Sequence, residues 1–243
     1  NLTGNIAIFS DNVGDLTITN NRVSGVNNTG TAGFAVGIYI KAPTNAVSNF
    51  TITANRIDAI GGPSTDQAVK AIYVGEPAGQ QVISNVTISG NRIDDVESGT
   101  SGAYGVHFDH GVGSTGTLSG IQISSNTFSG IEGDFVHAIG FETETGAAIV
   151  TGNELFNFTA NGVSNESVGV FFEDNPIGGP ASDVSQNLFR NSMSAGVQVA
   201  TADVYTVDAT ENFWDASDGP LGINGSAAVG SGTPVSDQVL YSP

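Results

Sequence analysis

The segment "VTISGNRIDDV" at residues 86–96 decides the fold, because the chain contains the same phrase at two earlier places. It occurs as "LTITNNRVSGV" at 16–26 and as "FTITANRIDAI" at 50–60, and four weaker copies follow further along the chain. The asparagine shared by all copies stands at Asn21, Asn55, Asn91, Asn126, Asn153, Asn187 and Asn212. Spacings of 25 to 36 residues between these asparagines are typical of a repeat protein in which each repeat is one supersecondary unit.

The residues around each asparagine alternate between apolar and polar side chains. The position three residues before it is apolar in every copy, and so is the position two residues after it. The position two residues before it is always serine or threonine. This period of two predicts a strand with one buried face on each side of the asparagine. Because asparagine tolerates the left-handed backbone conformation and hydrogen-bonds locally, it predicts a bend at which stacked amides bond to one another.

A second family of strands lies between the asparagine phrases. It includes "AVGIYIK" at 35–41, "VKAIYVG" at 69–75 and "AYGVHFD" at 103–109. Each repeat thus carries three short strands, separated by a bend and two loops. Stacked repeats of this kind predict an all-β fold, a right-handed parallel β-helix of about seven coils. We expect residues 1–243 to form a single domain of this type.

Composition narrows the choice of partners. The chain has 243 residues, a formal charge of −18 and only 6 lysines and arginines. A surface with this charge repels a phosphate backbone, so a nucleic-acid partner is not expected. No run of 18 apolar residues occurs, so membrane insertion is not expected either. The two ends, "NLTGN" and "VLYSP", look like cuts from a longer protein, so we expect other domains of the same longer chain as partners.

The C-terminal sequence resembles a known group of proteins. The phrase "ENFWDASDGP" at 211–220 is followed by "VGSGTPVSDQVLYSP" at 229–243. Together with the repeated coils, these phrases resemble the right-handed parallel β-helix proteins of the pectate-lyase-like superfamily, in particular a secreted or surface group whose last coil ends in an N-x-W…GP phrase. The residues that match this phrase are Asn212, Trp214, Gly219 and Pro220. The resemblance implies that residues 211–243 form a C-terminal closing coil.

The resemblance implies a secreted or cell-surface location and leaves the activity open. The superfamily contains polysaccharide lyases, hydrolases and epimerases, but also adhesins and surface-layer components. Three hypotheses follow. The first is an extracellular module for glycan recognition, adhesion or surface assembly, with a polysaccharide or surface glycan as its partner. The second is a polysaccharide-active enzyme, and the third is a purely structural spacer.

One face of the second strand family carries the candidate site. The outward position between its two apolar residues holds an aromatic row on which sugar rings can stack, and the next outward position holds an acidic row. The ligand-binding candidates are Tyr39, Tyr73, Tyr104, His107 and Phe171. Asp109, Glu142 and Glu173 fall on successive coils, about 5 Å apart. Carboxylates this close raise one another's pKa or bind Ca²⁺, so calcium is the one cofactor that this row suggests.

The enzyme hypothesis uses the same face. Its catalytic candidates are His107, Asp109, His110, Glu142 and Glu173, which would supply an acid and a base to a lyase, a C5-epimerase or a hydrolase. The stretch "YGVHFDHG" at 104–111 resembles in part the Y-G-x-D-P-H phrase of mannuronan C5-epimerases, with an insertion and without the proline. The alternative is a solvated face whose aromatic and acidic residues follow strand propensity.

A row of arginines directly follows the bend asparagines. Arg22, Arg56 and Arg92 stack in this column, and Asp58 and Asp94 stand two residues further on. An anion-binding ladder is one interpretation of the arginines. Because the aspartates share their face, the pattern favours a row of surface salt bridges.

Overall fold

The chain folds entirely into strands, bends and loops wherever the structure describes it. A computed structural model gives the positions of residues 4–28, 34–42, 45–62, 67–75, 82–109, 117–142, 147–163, 165–173, 182–190, 193–200, 206–223, 226, 228–236 and 238–241. These residues contain no helix. Among them, accordingly, no helical segment has the length and hydropathy needed to cross a bilayer.

The described ranges contain twenty-four strands, numbered along the chain, which form three sheets. Sheet A contains, in spatial order, β1 (Gly4–Asp11), β4 (Phe34–Lys41), β7 (Val69–Gly75), β10 (Ala103–Asp109), β13 (Val136–Phe141), β17 (Ser167–Phe172), β20 (Ala195–Val199), β23 (Gly232–Val235) and β22 (Pro220–Gly222). Sheet B contains β2 (Leu16–Thr19), β5 (Val47–Thr53), β8 (Ile83–Ser89), β11 (Leu118–Ser124), β14 (Ala148–Thr151), β18 (Asp183–Ser185), β21 (Val207–Ala209) and β24 (Val239–Tyr241). Sheet C contains β19 (Leu188–Phe189), β15 (Glu154–Leu155), β12 (Thr127–Gly133), β9 (Arg92–Ser98), β6 (Arg56–Gly62) and β3 (Arg22–Val26), with β16 (Phe158–Ala160) also paired to β12.

From β2 to β21 the chain passes through sheets B, C and A in turn, and the strands of each sheet pair in parallel with those of the next turn. The fold is therefore the predicted parallel β-helix, with three strands per coil. The described strands complete about six turns. The seventh asparagine phrase begins a further, incomplete coil, which accounts for the difference from the expected seven.

Apolar columns fill the interior of the coils. Ile52, Ile88 and Ile123 stack in register on sheet B, and each is at most 1% exposed. At the closing coil, Trp214 is 1% exposed and stacks on Phe189 with ring centroids 4.9 Å apart. Trp214 thus packs inside the apolar core against the preceding coil.

The bend asparagines form the predicted hydrogen-bonded ladder. Asn91 shows the pattern: its side-chain amide donates to Oδ1 of Asn126 at 3.0 Å and to the carbonyl of Ile52 at 2.8 Å. Its backbone N–H donates to the same Oδ1 at 2.9 Å. From Asn55 to Asn212 these side chains are buried, whereas Asn21, in the first coil, is exposed. Each internal amide therefore meets its hydrogen-bonding needs from the coils above and below.

The left-handed conformation lies one residue earlier than expected. In every copy the residue before the asparagine has a positive φ, for example 54° at Ala54 and 62° at Gly90. The asparagines themselves have negative φ. The preceding residue absorbs the turn, which lets the asparagine side chain point inward and reach its neighbours in the ladder.

The arginine row forms the salt bridges that the sequence favours. Arg56 Nε lies 2.8 Å from Oδ2 of Asp58, and Arg22 reaches the same oxygen at 3.3 Å. Arg92 pairs with Asp94 at 3.1 Å. The arginine side chains are mostly exposed, so these pairs add little stability, and the row is occupied by partners of its own chain.

Candidate functional site

The two predicted rows exist on the outer side of sheet A. Register aligns Tyr39 with Tyr73, Tyr73 with His107, His107 with Gly140, and Gly140 with Phe171. Sheet register also places the acidic row on successive coils. The backbone N–H of Glu142 donates to the carbonyl of Phe108, and that of Glu173 donates to the carbonyl of Phe141, both at 2.9 Å. The sequence therefore placed both rows correctly.

The aromatic row is buried rather than open to solvent. Tyr39 is 2% exposed, and Tyr73 and His107 are each 3% exposed. Their rings cover one another, with centroids 4.6 Å apart for Tyr39 and Tyr73 and 5.3 Å apart for Tyr73 and His107. Tyr39 and Tyr73 pack in an apolar cluster that is separate from the main core. Ile38, the residue before Tyr39, belongs to the main core. These ring faces are occupied by each other, so they offer no flat platform for a sugar.

Gly140 interrupts the aromatic row, and Tyr104 fills the space. Tyr104 belongs to the neighbouring outward column, in register with Lys70 and His137. Its ring stacks on His107 with centroids 4.1 Å apart and 18° between the planes. A Cβ at Gly140 would lie 3.3 Å from the Tyr104 ring, so glycine leaves the room that the tyrosine uses.

The carboxylate of Glu142 contacts the polar ends of both stacked side chains. The hydroxyl of Tyr104 donates to its Oε1 at 2.6 Å, and His107 Nε2 lies 2.9 Å from its Oε2. Burial by itself raises the pKa of Glu142, but the contacts with His107 and Tyr104 and the nearby ring of His137 outweigh it and hold that pKa far below its usual range. Burial and the adjacent carboxylates raise the pKa of Tyr104. Glu142 is thus a fixed anion and Tyr104 a fixed hydroxyl donor.

His107 is held as a neutral imidazole. Its ring is buried, and Nδ1 has no hydrogen-bond partner. Burial lowers the pKa of His107 more than the contact with Glu142 raises it. We therefore place the single ring proton on Nε2, where it is donated to Glu142, because a proton on Nδ1 would be buried without an acceptor.

His137, one coil further on, has the opposite charge preference. It stacks on Phe171 with ring centroids 4.1 Å apart. Its Nδ1 lies 3.6 Å from Oε1 of Glu142, and its Nε2 lies 3.7 Å from Oε1 of Glu166. Burial lowers the pKa of His137, but the two flanking carboxylates more than compensate and raise it above its ordinary value. Tyr104, His107, His137, Glu142 and Glu166 together are called the outer-face cluster below.

Lys70, a half-buried residue, brings its ammonium group close to the cluster. Its Nζ lies 4.8 Å from the ring centroid of Tyr73 and 5.7 Å from that of Tyr104. Burial lowers the pKa of Lys70, although the charges of Glu142 and Asp109 act in the other direction. The rings contribute a cation–π attraction at these distances.

A surface depression of about 430 Å³ opens beside the outer-face cluster. Its lining combines four carboxylates with three aromatic rings and one imidazole: Asp134, Glu142, Glu166, Glu173, Tyr104, Phe135, Phe171 and His137. Of the predicted site residues, the depression therefore brings together Tyr104, Glu142, Phe171 and Glu173. It does not include Tyr39, Tyr73 or Asp109.

Asp109 and Glu142 face different partners although they are neighbours in the acidic row. Asp109 accepts a hydrogen bond from the Tyr73 hydroxyl at 3.3 Å, whereas Glu142 accepts from Tyr104 and His107. No group of three or more histidine, aspartate or glutamate side chains suited to a metal ion occurs within the described part of the chain. The calcium role of Asp109, Glu142 and Glu173 stays a prediction, and His110 lies outside the described residues.

Sequence reasoning missed four residues of the depression: His137, which lies in β13, and three residues that precede strands. Asp134 and Phe135 come directly before β13, and Glu166 comes directly before β17. Glu166 accepts from Gln198 Nε2 at 2.9 Å, and its pKa is lowered chiefly by His137. The three residues that precede strands belong to neither repeated phrase, so a search by repeat columns passes over them. The available signal was their shared position just ahead of strands of the second family.

Comparison with known proteins finds no relative of this chain. No family model, no curated protein and no solved structure matches the chain. The parallel β-helix is shown by the structure, and the likeness to the pectate-lyase-like superfamily rests on the sequence phrases alone.

Proposed function

We propose that the protein is an extracellular recognition module that binds a glycan in the depression beside the outer-face cluster. The observation that carries this proposal is the lining: aromatic rings next to acceptor-rich carboxylates in a concave site of about 430 Å³. Pockets that combine apolar rings with a few convergent polar groups are the usual form of ligand sites. Adhesion to a surface glycan and assembly on a surface are the roles that such a module would serve.

Binding fits the cluster better than proton transfer does. A general acid or base works best when its pKa lies near the working pH. The pKa of Glu142 is displaced far below that range, and that of Tyr104 is displaced upward. His107 is buried as a neutral ring whose Nε2–H donates a hydrogen bond to Glu142. These groups stabilise one another's resting states, which suits a rigid wall of a binding site.

A polysaccharide-active enzyme is the second candidate. It is favoured by one observation, the concentration of shifted pKa values at a concave site, which is typical of functional sites. Within the depression, His137 and Glu166 would be the groups nearest to such chemistry. A lyase, a C5-epimerase and a hydrolase remain the reaction types proposed from the sequence, and a structural spacer predicts no ligand at all.

The test is retention of polysaccharides of varied charge, followed by calorimetry on those retained. Phe135→Ala removes a partly exposed ring from the depression and should weaken binding about tenfold. Phe213→Ala is the matched control, since Phe213 is 49% exposed and does not line the depression. Equal loss in both variants, or no retention of any glycan, would contradict the proposal.

The enzyme candidate is tested in the same samples by analysis of the glycans after long incubation. Binding without new reducing ends, unsaturated ends or changed uronate epimers supports recognition. Turnover that is lost in Glu166→Gln, with binding retained, would replace recognition by catalysis.

A further inference from the structure

The walls of the depression are strongly unbalanced in charge. Among the described residues that line the depression, four are carboxylates and His137 is the one basic side chain. Because carboxylates are acceptor-only when ionised, this surface presents many more acceptors than donors. A ligand that carries its own carboxylates, such as a uronate polymer, would be repelled.

His137 supplies a second and independent indication that the wall is completed by a ligand. It is 3% exposed and lines the depression, yet neither ring nitrogen is in a hydrogen bond. The nearest carboxylate oxygens, on Glu142 and Glu166, stand back at 3.6 Å and 3.7 Å. Buried polar groups in native proteins are nearly always paired, so this exception calls for an explanation. Because the pKa of His137 is raised, its ring presents N–H donors to these carboxylates, so a bridging group must accept from the ring and donate to a carboxylate, as a sugar hydroxyl does.

We infer that the depression binds an amine-bearing sugar, the hexosamine unit of a cationic glycan. The inference rests on the proposed function and specifies its ligand. An ammonium group brings three donors and a positive charge to Glu166, Glu173 and Asp134, which are acceptors with negative charge. The rings of Phe135 and Phe171 border the same space, and a cation beside an aromatic ring gains a further attraction. Hydroxyl groups of the same sugar both donate and accept, which suits the carboxylate and imidazole wall.

The decisive experiment compares two probes that differ only at nitrogen. Calorimetry at low ionic strength and pH 6 measures the binding of a glucosamine tetramer and of the corresponding N-acetylglucosamine tetramer to the whole chain. The charged tetramer should bind at least about tenfold more tightly, which corresponds to about 1.4 kcal/mol. Added salt should reduce this preference, because exposed charges are screened.

Two charge-removing variants locate the effect. Glu173→Gln changes an exposed carboxylate of the depression and should reduce the preference for the charged tetramer about fivefold or more. Asp183→Asn removes the same charge from an exposed position on sheet B and should leave the preference unchanged. An equal reduction in both variants would show only a response to net charge and would overturn the inference.

The outcomes separate this inference from the proposed function. Equal or tighter binding of the N-acetylated tetramer, weakened by Phe135→Ala, would overturn the inference and leave glycan recognition standing. Binding of a lysine tripeptide but of no glycan would overturn both, while showing that the depression selects cations.

Discussion

The asparagine ladder and the outer-face cluster are both buried and polar, but they are built on opposite principles. In the ladder each amide repeats the bonds of the one before it, as Asn91 and Asn126 do. In the cluster no residue repeats its neighbour, and His107 Nδ1 and both nitrogens of His137 lack hydrogen bonds. A repeated and satisfied network specifies architecture, whereas a unique and incompletely satisfied one is where function is expected.

The largest expected effect breaks the ladder at its centre. Asn126→Ala removes the acceptor for the N–H groups of Asn91 and the donor to the carbonyl of Ile88 and to Asn153. Because these groups are buried and lose their partners, the free energy of unfolding should fall by about 3 kcal/mol. Chemical denaturation followed by far-ultraviolet circular dichroism measures it.

The control for the ladder is its exposed end. Asn21→Ala removes bonds to Asn55 and Thr19 at a residue that water reaches, so it should cost about 1 kcal/mol. If Asn21→Ala and Asn126→Ala lowered the free energy of unfolding equally, burial would not determine how much the ladder bonds contribute to stability.

The second effect concerns the charge at the centre of the outer-face cluster. Glu142→Gln keeps the shape but removes the negative charge that Tyr104, His107 and His137 share. The free energy of unfolding should fall by about 2 kcal/mol, since a charged acceptor is replaced by a weaker one. The pKa of His137, measured by NMR titration, should drop because burial then has less opposition.

A surface ion pair provides the comparison for Glu142. Glu154→Gln removes the charge that faces Arg190 at 3.6 Å, where both side chains are well exposed. Its effect should stay below about 0.5 kcal/mol. A loss as large as that of Glu142→Gln would argue that the buried cluster has no special electrostatic role.

The features that could be predicted from the sequence are those that recur in every repeat. Strand order, register and the positions of His107 and Glu142 all follow from columns that recur in each coil. Two features escaped it for a physical reason: the Tyr104 ring that contacts Glu142 uses the space left by Gly140, and Glu166 approaches His137 from outside the repeated strands. Side-chain direction and loop position depend on single residues such as Gly140 and Glu166. A repeat pattern describes only what the coils share, so it does not reveal them.

The third effect distinguishes the two buried histidines by the sign of their pH dependence. The pKa of His107 is lowered in the folded protein, so the stability it provides is present above about pH 6.5 and is lost on acidification. The pKa of His137 is raised, so its contribution is present below about pH 6.5 and is lost as the pH rises through its folded pKa.

His107→Gln and His137→Gln serve as controls for each other. Denaturation between pH 5 and pH 9 should show a weaker loss of stability on the acid side for His107→Gln. The loss on the alkaline side should weaken for His137→Gln. The same change in both variants would contradict the opposite charge states assigned to the two rings.

The smallest effect tests the gap in the aromatic row. A methyl group at Gly140 would lie 3.3 Å and 3.4 Å from two carbons of the Tyr104 ring. The Gly140→Ala substitution therefore requires that ring to move by a few tenths of an ångström. The unfolding free energy should change by less than about 1 kcal/mol, since a glycine inside a strand is itself unfavourable.

Gly105→Ala is the comparison for Gly140→Ala. It would place a methyl group 2.5 Å from the carbonyl oxygen of Ala138 and 2.7 Å from Phe128, and the movement of one ring cannot relieve both contacts. It should cost about 2 kcal/mol. If NMR shows His107 and Tyr104 unchanged in Gly140→Ala, the glycine is not what sets the position of the tyrosine, and the cluster is held by the bonds to Glu142 alone.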